Sequence, residues 1–131
     1  MPTKQSVIAV LDDEPEMRKA LRRLLRSRGF RVEEYACAED FFADLDSRTV
    51  DCLLLDLHMP GINGFDVLGA FQVRHILVPI IVITAHDEPG TAERVRALGA
   101  SAYLKKPVDR DALLAAIGAA GSGAKDQTSL T

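Results

Sequence analysis

The sequence predicts an α/β domain, a doubly wound, five-stranded parallel sheet in strand order 2-1-3-4-5 with helices on both faces. Two observations carry this expectation. Short, largely apolar runs recur along the chain, and the stretches between them place apolar residues at helical spacing. Runs that are apolar at successive positions mark strands covered on both faces. Strict alternation with helices then implies crossover connections and parallel pairing. A chain of 131 residues supplies one core of this kind and no second domain.

The first strand is Ser6 to Leu11 (SVIAVL). Pro15 suits the first turn of a helix, since its fixed φ and missing N–H do no harm there. Met17, Leu21, Leu24 and Leu25 then repeat at helical spacing, and Gly29 ends the helix. Arg31 to Tyr35 is a second, more polar strand, suited to a place near the sheet edge. Phe41, Phe42 and Leu45 mark the inner side of a short second helix. Cys52 to Leu55 (CLLL) forms the third strand and runs into Asp56. After the turn-rich MPGING, a helix carries Val67, Leu68 and Phe71. Pro79 introduces the fourth strand, IIVIT, which ends at Thr84. A charged helix is expected from Pro89 to Leu98, closed by Gly99. A brief strand from Ala102 to Lys105 meets Pro107, and the last helix carries Leu113, Leu114 and Ile117. Residues 1–120 form the domain, and 121–131 read as a polar tail or the start of a linker.

Composition excludes several roles. A formal net charge of −3 gives no global attraction to nucleic acid or anionic lipid. With no tryptophan and 5% aromatic residues, a base-stacking platform is not expected. No stretch reaches the roughly 18 apolar residues that span a bilayer, and the start MPTKQSVIAVLDDE lacks a signal-peptide pattern. The expected location is the cytoplasm. The two cysteines, Cys37 and Cys52, form no metal or disulfide pattern. Cys52 reads as an inert buried thiol, and Cys37 falls at the N-cap of the second helix.

In open parallel sheets, ligands bind beyond the carboxyl ends of the strands. That rule gathers Asp12 and Asp13 after the first strand, Asp56 after the third, Thr84 at the end of the fourth and Lys106 past the fifth. Three neighbouring carboxylates repel, and a small hard cation, Mg²⁺ or Mn²⁺, would relieve the repulsion. Asp56 could then attack phosphorus and form an acyl phosphate, with Lys106 and Thr84 binding two phosphoryl oxygens. Taken singly, these residues have plainer uses. Asp12, Asp13 and Glu14 could cap the first helix, Asp56 could be a turn residue, and Lys106 a solvated charge.

The segments VLDDEPEMR, LLLDLHMPGINGFDVL, IIVITAH and GASAYLKKPVD stand in one order and spacing. As a set they resemble the receiver domain of two-component response regulators, a CheY-like, flavodoxin-like fold, over about Ser6 to Ile117. The resemblance implies that Asp56 accepts a phosphoryl group from a sensor histidine kinase or phosphotransfer protein. It further implies a metal site of Asp13, Asp56 and the His58 backbone carbonyl, with Asp12 acting through water. Lys106 is the matching lysine because it directly precedes the proline, and a cis bond is expected at Lys106–Pro107. Thr84 and Tyr103 match the pair that moves together on phosphorylation. His58 and His86, two residues past Asp56 and Thr84, match positions that modulate acyl-phosphate lifetime.

The segments YACAEDFFADL and ITAHDEPGTAERVRALGA look most like receivers of the FixJ type. That likeness implies an output surface from Pro89 to Lys105, with Val95, Tyr103 and Lys105 as contacts for a protein effector or dimer partner. The basic first helix, with Arg18 and Arg22, borders the surface where such domains dock their kinase. Departures exist too: Val108 replaces a common phenylalanine, and the last helix lacks basic residues after Arg110. The rivals are an aspartyl-phosphate phosphatase and a binding module that keeps the fold without using phosphate. The first would need a second carboxylate two residues past Asp56, where His58 stands. Beyond self-phosphorylation and autodephosphorylation, no enzyme activity is expected.

Overall fold

The computed structural model describes residues 5–129, and the side chains of residues 5–121. Five strands, β1 (Val7–Leu11), β2 (Arg31–Tyr35), β3 (Cys52–Asp56), β4 (Ile80–Thr84) and β5 (Ala102–Lys105), alternate with helices. These are α1 (Pro15–Ser27), α2 (Ala38–Leu45), α3 (Gly64–Arg74), α4 (Thr91–Ala97) and α5 (Arg110–Ser129). The sheet is parallel throughout, in the order β2-β1-β3-β4-β5. The polar β2 takes one edge, as its composition predicts, and β5 takes the other. Among the described residues, no helix is long and apolar enough to cross a membrane.

Side chains alternate across each strand and so build two cores. Ala9, Leu11, Leu53, Leu55 and Val82 face one layer with Phe41, Val67, Leu68 and Phe71 of α2 and α3. Ile8, Val10, Leu54, Ile81 and Ile83 face the other, with Leu21 and Leu25 of α1 and Leu113 and Ile117 of α5. Every residue of β1, β3 and β4 is buried, which accounts for their unbroken apolar runs. Cys52 lies in the second core, where burial, and then the charge of Asp51, pushes its thiol up to about 12. Cys37 is the N-cap of α2, and its side chain makes no capping hydrogen bond.

Three features differ from the sequence expectation. The α4 helix begins at Thr91 rather than Pro89, because its N-cap Gly90 stands in the left-handed region at φ 85°. Val95, expected as a surface contact, is fully buried in the first core. Its apolar side chain follows the helical stripe inward, so only its neighbours can meet a partner. Finally, α5 continues to Ser129 through residues expected as a polar tail.

One glycine pins α3 beneath the end of β3. A Cβ at Gly64 would stand 2.6 Å from Leu57 Cα and 2.8 Å from the Asp56 carbonyl oxygen, both backbone atoms. The Gly64 N–H donates to the Leu57 carbonyl at 3.0 Å. Asn63 and Asp66 complete a capping box at the same helix end, each side chain accepting from the other's backbone N–H at 3.0 Å. The turn that follows Asp56 is therefore tied at both of its ends. Gly64→Ala should destabilise the domain by roughly 1–3 kcal/mol through forced displacement. Gly69→Ala, in the same helix with open space around it, should instead add about 0.5–1 kcal/mol. Urea unfolding of the two variants checks the contrast.

Candidate functional site

The strand ends converge as the topology requires. Because β1 and β3 are neighbours in the sheet, the chain leaves both at one rim, and Asp12 and Asp56 meet there. They are 3% and 4% exposed, and with Thr84 they are the buried polar side chains among the described residues. Ligand oxygens of Asp12, Asp13 and Asp56 lie within 4.8 Å of one another. Three hard carboxylate oxygens in so small a space suit a Mg²⁺- or Mn²⁺-sized cation.

Lys106 closes the rim from the β5 side. Its Nζ lies 3.1 Å from Asp12 Oδ2, 2.7 Å from Glu14 Oε1 and 3.8 Å from Asp56 Oδ1. Burial alone would lower the affinity of this ammonium for its proton. Hydrogen bonds to Glu14 and Asp12 outweigh that effect, and the pKa is raised. The same contact with Lys106 draws the Glu14 carboxyl below its usual range. The peptide bond between Lys106 and Pro107 is cis, as the sequence suggests.

Asp56 carries the largest perturbation of the site. Burial foremost, and then the charge of Asp12, push its carboxyl up to about 7, against the opposing pull of Lys106 and the His58 N–H. That N–H donates to Asp56 Oδ1 at 3.3 Å. A carboxylate this costly to ionise is stabilised by added positive charge, which fits the cation that the donor set suggests.

The capping alternative for the first acidic run does not describe this geometry. Glu14 is the N-cap of α1, yet no side-chain capping bond forms, and its carboxylate turns to Lys106. Asp12 Oδ1 accepts from the Glu14 N–H at 2.9 Å, which orients the carboxylate at the strand end. Arg18 Nη1 donates to the Asp12 carbonyl at 2.8 Å, and Arg22 Nη1 donates to Glu34 Oε2 at 2.6 Å. Both arginines thus brace α1 against β1 and β2, and charge reversal at either would disturb the site as well as any docking surface.

Thr84 is buried at the end of β4, and its hydroxyl bonds the segment that follows it. Its hydroxyl accepts from the His86 N–H at 3.0 Å and donates to the His86 carbonyl at 3.3 Å. Tyr103, half-buried against the first core, donates its hydroxyl to Asp87 Oδ1 at 2.7 Å. Burial and that bond push the phenol up to about 12. The exposed rings of His58 and His86 meet edge to face, their centroids 4.9 Å apart. Sequence reasoning missed Glu14 as a partner of Lys106 and Asp87 as a partner of Tyr103. Neither has a local signal, since the contacts join residues 92 and 16 positions apart.

Comparison with known proteins identifies relatives of the chain and of its fold. The family model of the response regulator receiver domain matches residues 8–118. The chain is 33% identical over 124 residues to the DNA-binding transcriptional regulator NtrC of Salmonella typhimurium, covering 95% of this chain and 26% of that protein. It is 36% identical over 129 residues to the response regulator protein TodT of Pseudomonas putida, covering 98% and 57%. With the transcriptional regulatory protein FixJ of Bradyrhizobium diazoefficiens it shares 34% over 115 residues, covering 88% and 56%. The chain therefore spans between about a quarter and somewhat over half of these relatives. The crystal structure of FixJ-N superposes with a TM-score of 0.83 at 30% identity, over 92% of this chain and 96% of that one. A CheY-like receiver domain protein from Methanospirillum hungatei shares the fold at a TM-score of 0.86 and 23% identity, over 95% and 99%. With its fold and its sequence both matched by these relatives, the chain belongs to the response regulator receiver domain family of two-component systems.

Proposed function

We propose that this domain is a phosphorylation-dependent switch whose acceptor is Asp56. The observation that carries the reading is the setting of that carboxylate, 4% exposed and clustered with Asp12 and Asp13 beside Lys106. Asp12, Asp13 and Asp56, with the His58 backbone carbonyl, would hold Mg²⁺ or Mn²⁺. When bound, the ion would supply positive charge to the carboxylates and to the phosphoryl oxygens.

A lone pair on the Asp56 carboxylate forms the new P–O bond. The P–N bond of a donor phosphohistidine breaks, and the imidazole departs with that electron pair. Lys106 exchanges a carboxylate partner for a phosphoryl oxygen, and Thr84 turns its hydroxyl to another. The added group brings about 1.5 to 2 negative charges. Thr84 then vacates space that Tyr103 fills, and the surface from Pro89 to Lys105 changes for a partner. His58 and His86 stand at the mouth of the site, where they would modulate attack by water on the acyl phosphate. The donors are a sensor histidine kinase or phosphotransfer protein of the cytoplasm, and the recipient is a protein effector or a dimer partner. Residues 1–120 carry these functions, and 121–131 lead from them.

Intact mass after incubation with acetyl phosphate is the primary test. A Mg²⁺-dependent phosphoryl adduct is expected in the wild type and none in Asp56→Asn, whereas an adduct on Asp56→Asn would place the acceptor elsewhere. Thr84→Ala should still take the adduct but lose the change in partner binding, and a wild-type response would break the proposed coupling.

Lifetime of the adduct at one fixed pH should differ between the wild type and the His58→Ala, His86→Ala double variant. Equal lifetimes for the two proteins would remove both histidines from this role.

A stability measurement tests the electrostatics. The folded Asp56 holds its proton up to about pH 7, against 3.8 as the ordinary value. Between about pH 4 and 7 the native state therefore binds more protons than the unfolded chain, and stability falls as pH rises. In EDTA, the wild type should lose on the order of 2–4 kcal/mol more than Asp56→Asn across that window. Added Mg²⁺ should narrow the difference. Parallel urea titrations at pH 5 and pH 8 would show it, and identical losses in the two proteins would contradict it.

A further inference from the structure

Coupling between Thr84 and Tyr103 requires a physical connection, and the segment leaving β4 contains one that neither residue makes alone. The Thr84 hydroxyl holds both the N–H and the carbonyl of His86, at 3.0 and 3.3 Å. The next residue, Asp87, accepts the Tyr103 hydroxyl at 2.7 Å on Oδ1 and pairs with Lys105 Nζ at 3.6 Å through Oδ2. Lys105 is itself the sheet partner of Thr84 across β4 and β5. One short loop thus ties the strand end at Thr84 to two side chains of the neighbouring strand.

From this arrangement we propose that Asp87 is a positioning residue: it tethers Tyr103 in its present place and lets it go when Thr84 turns toward a phosphoryl oxygen. The inference rests on Asp56 being the phosphoryl acceptor.

The direction of the effect follows from counting donors. A threonine hydroxyl has one proton. In this structure that proton is directed to the His86 carbonyl, so binding a phosphoryl oxygen means giving up that bond. The loop then loses a tie one residue before Asp87, and the carboxylate no longer has a fixed place from which to accept the Tyr103 hydroxyl. Tyr103 packs against the first core as well as bonding Asp87, so the freed ring has an apolar wall to move along. Bonds made while Thr84 is held by its own loop favour that state, and by linkage they oppose phosphoryl binding. Removing the Asp87 carboxylate should therefore favour the phosphoryl-bound state.

The test uses beryllofluoride with Mg²⁺ as a phosphoryl probe and measures half-saturation by calorimetry. Asp87→Ala should bind it about three- to tenfold more tightly than wild type, as loss of one competing hydrogen bond implies. Asp87→Asn, which keeps an acceptor oxygen, should fall between the two. Tyr103→Phe should reproduce the Asp87→Ala shift, and the double variant should show no further gain. In a Tyr35→Phe background, where Tyr103 is the sole tyrosine, its ring NMR signals in free Asp87→Ala should move toward their probe-bound wild-type positions. Unchanged affinity in Asp87→Ala, or additive effects in the double variant, would overturn the tether while leaving Asp56 as acceptor. Wild-type protein that binds no beryllofluoride would overturn the functional reading and this inference with it.

Discussion

Asp12 and Asp56 lie side by side almost out of water, and the ammonium of Lys106 is shared between them. Two buried carboxylates repel, and each loses hydration, so a rim of this kind is held only by the structure around it. The Lys106 ammonium offsets part of the repulsion, and Glu14 holds that ammonium from the solvent side. What remains uncompensated shows in Asp56, whose carboxyl is pushed up to about 7 by burial and by Asp12. A domain that ionises its central carboxylate so reluctantly is predisposed to take up positive charge at that rim. The site is therefore a local weakness in stability maintained by two well-packed cores.

Those cores explain why the rim does not relax. β1, β3 and β4 are buried along their whole length, and their side chains alternate between two helical layers. A one-residue slip in any of them would exchange the two layers. Register thus fixes which residue emerges at each strand end, and Asp56 emerges paired to Ile83, one residue before Thr84. Gly64 adds a constraint of close approach, because α3 starts so near the β3 end that no Cβ fits between them. The backbone after Asp56 cannot drift without moving a helix.

The other side of the rim is held by weaker contacts. Beyond Thr84, the segment up to α4 meets the rest of the domain through hydrogen bonds with Thr84 and Tyr103, an ion pair with Lys105 and the exposed ring of His58, rather than through buried apolar contacts. Such contacts exchange readily with water, so their rearrangement needs little energy compared with repacking a core. The domain thus sets a firmly held carboxylate beside a segment joined to it by exchangeable contacts. This division is what a switch of the proposed kind needs.

Much of this was legible in the chain itself. Unbroken apolar runs reveal buried strands because only residues covered on both faces lack a polar alternate, and the helical stripes follow with equal directness. Asp12, Asp13, Asp56, Thr84 and Lys106 could be assigned to one rim because each follows a strand, and parallel strands end on one side. Side-chain partners were a different matter. Glu14 finding Lys106, Asp87 finding Tyr103, and Arg18 bracing the Asp12 carbonyl depend on rotamers and loop paths that no local pattern encodes. Val95 turned inward because α4 packs its apolar stripe on the first core, and which face a helix covers is decided by that packing. Sequence by itself determined the strands, their ends and the residue types carried there, since periodicity and residue type act locally. Only the tertiary structure decided which charges meet and how deeply they are buried, because burial and contact are properties of the packed whole.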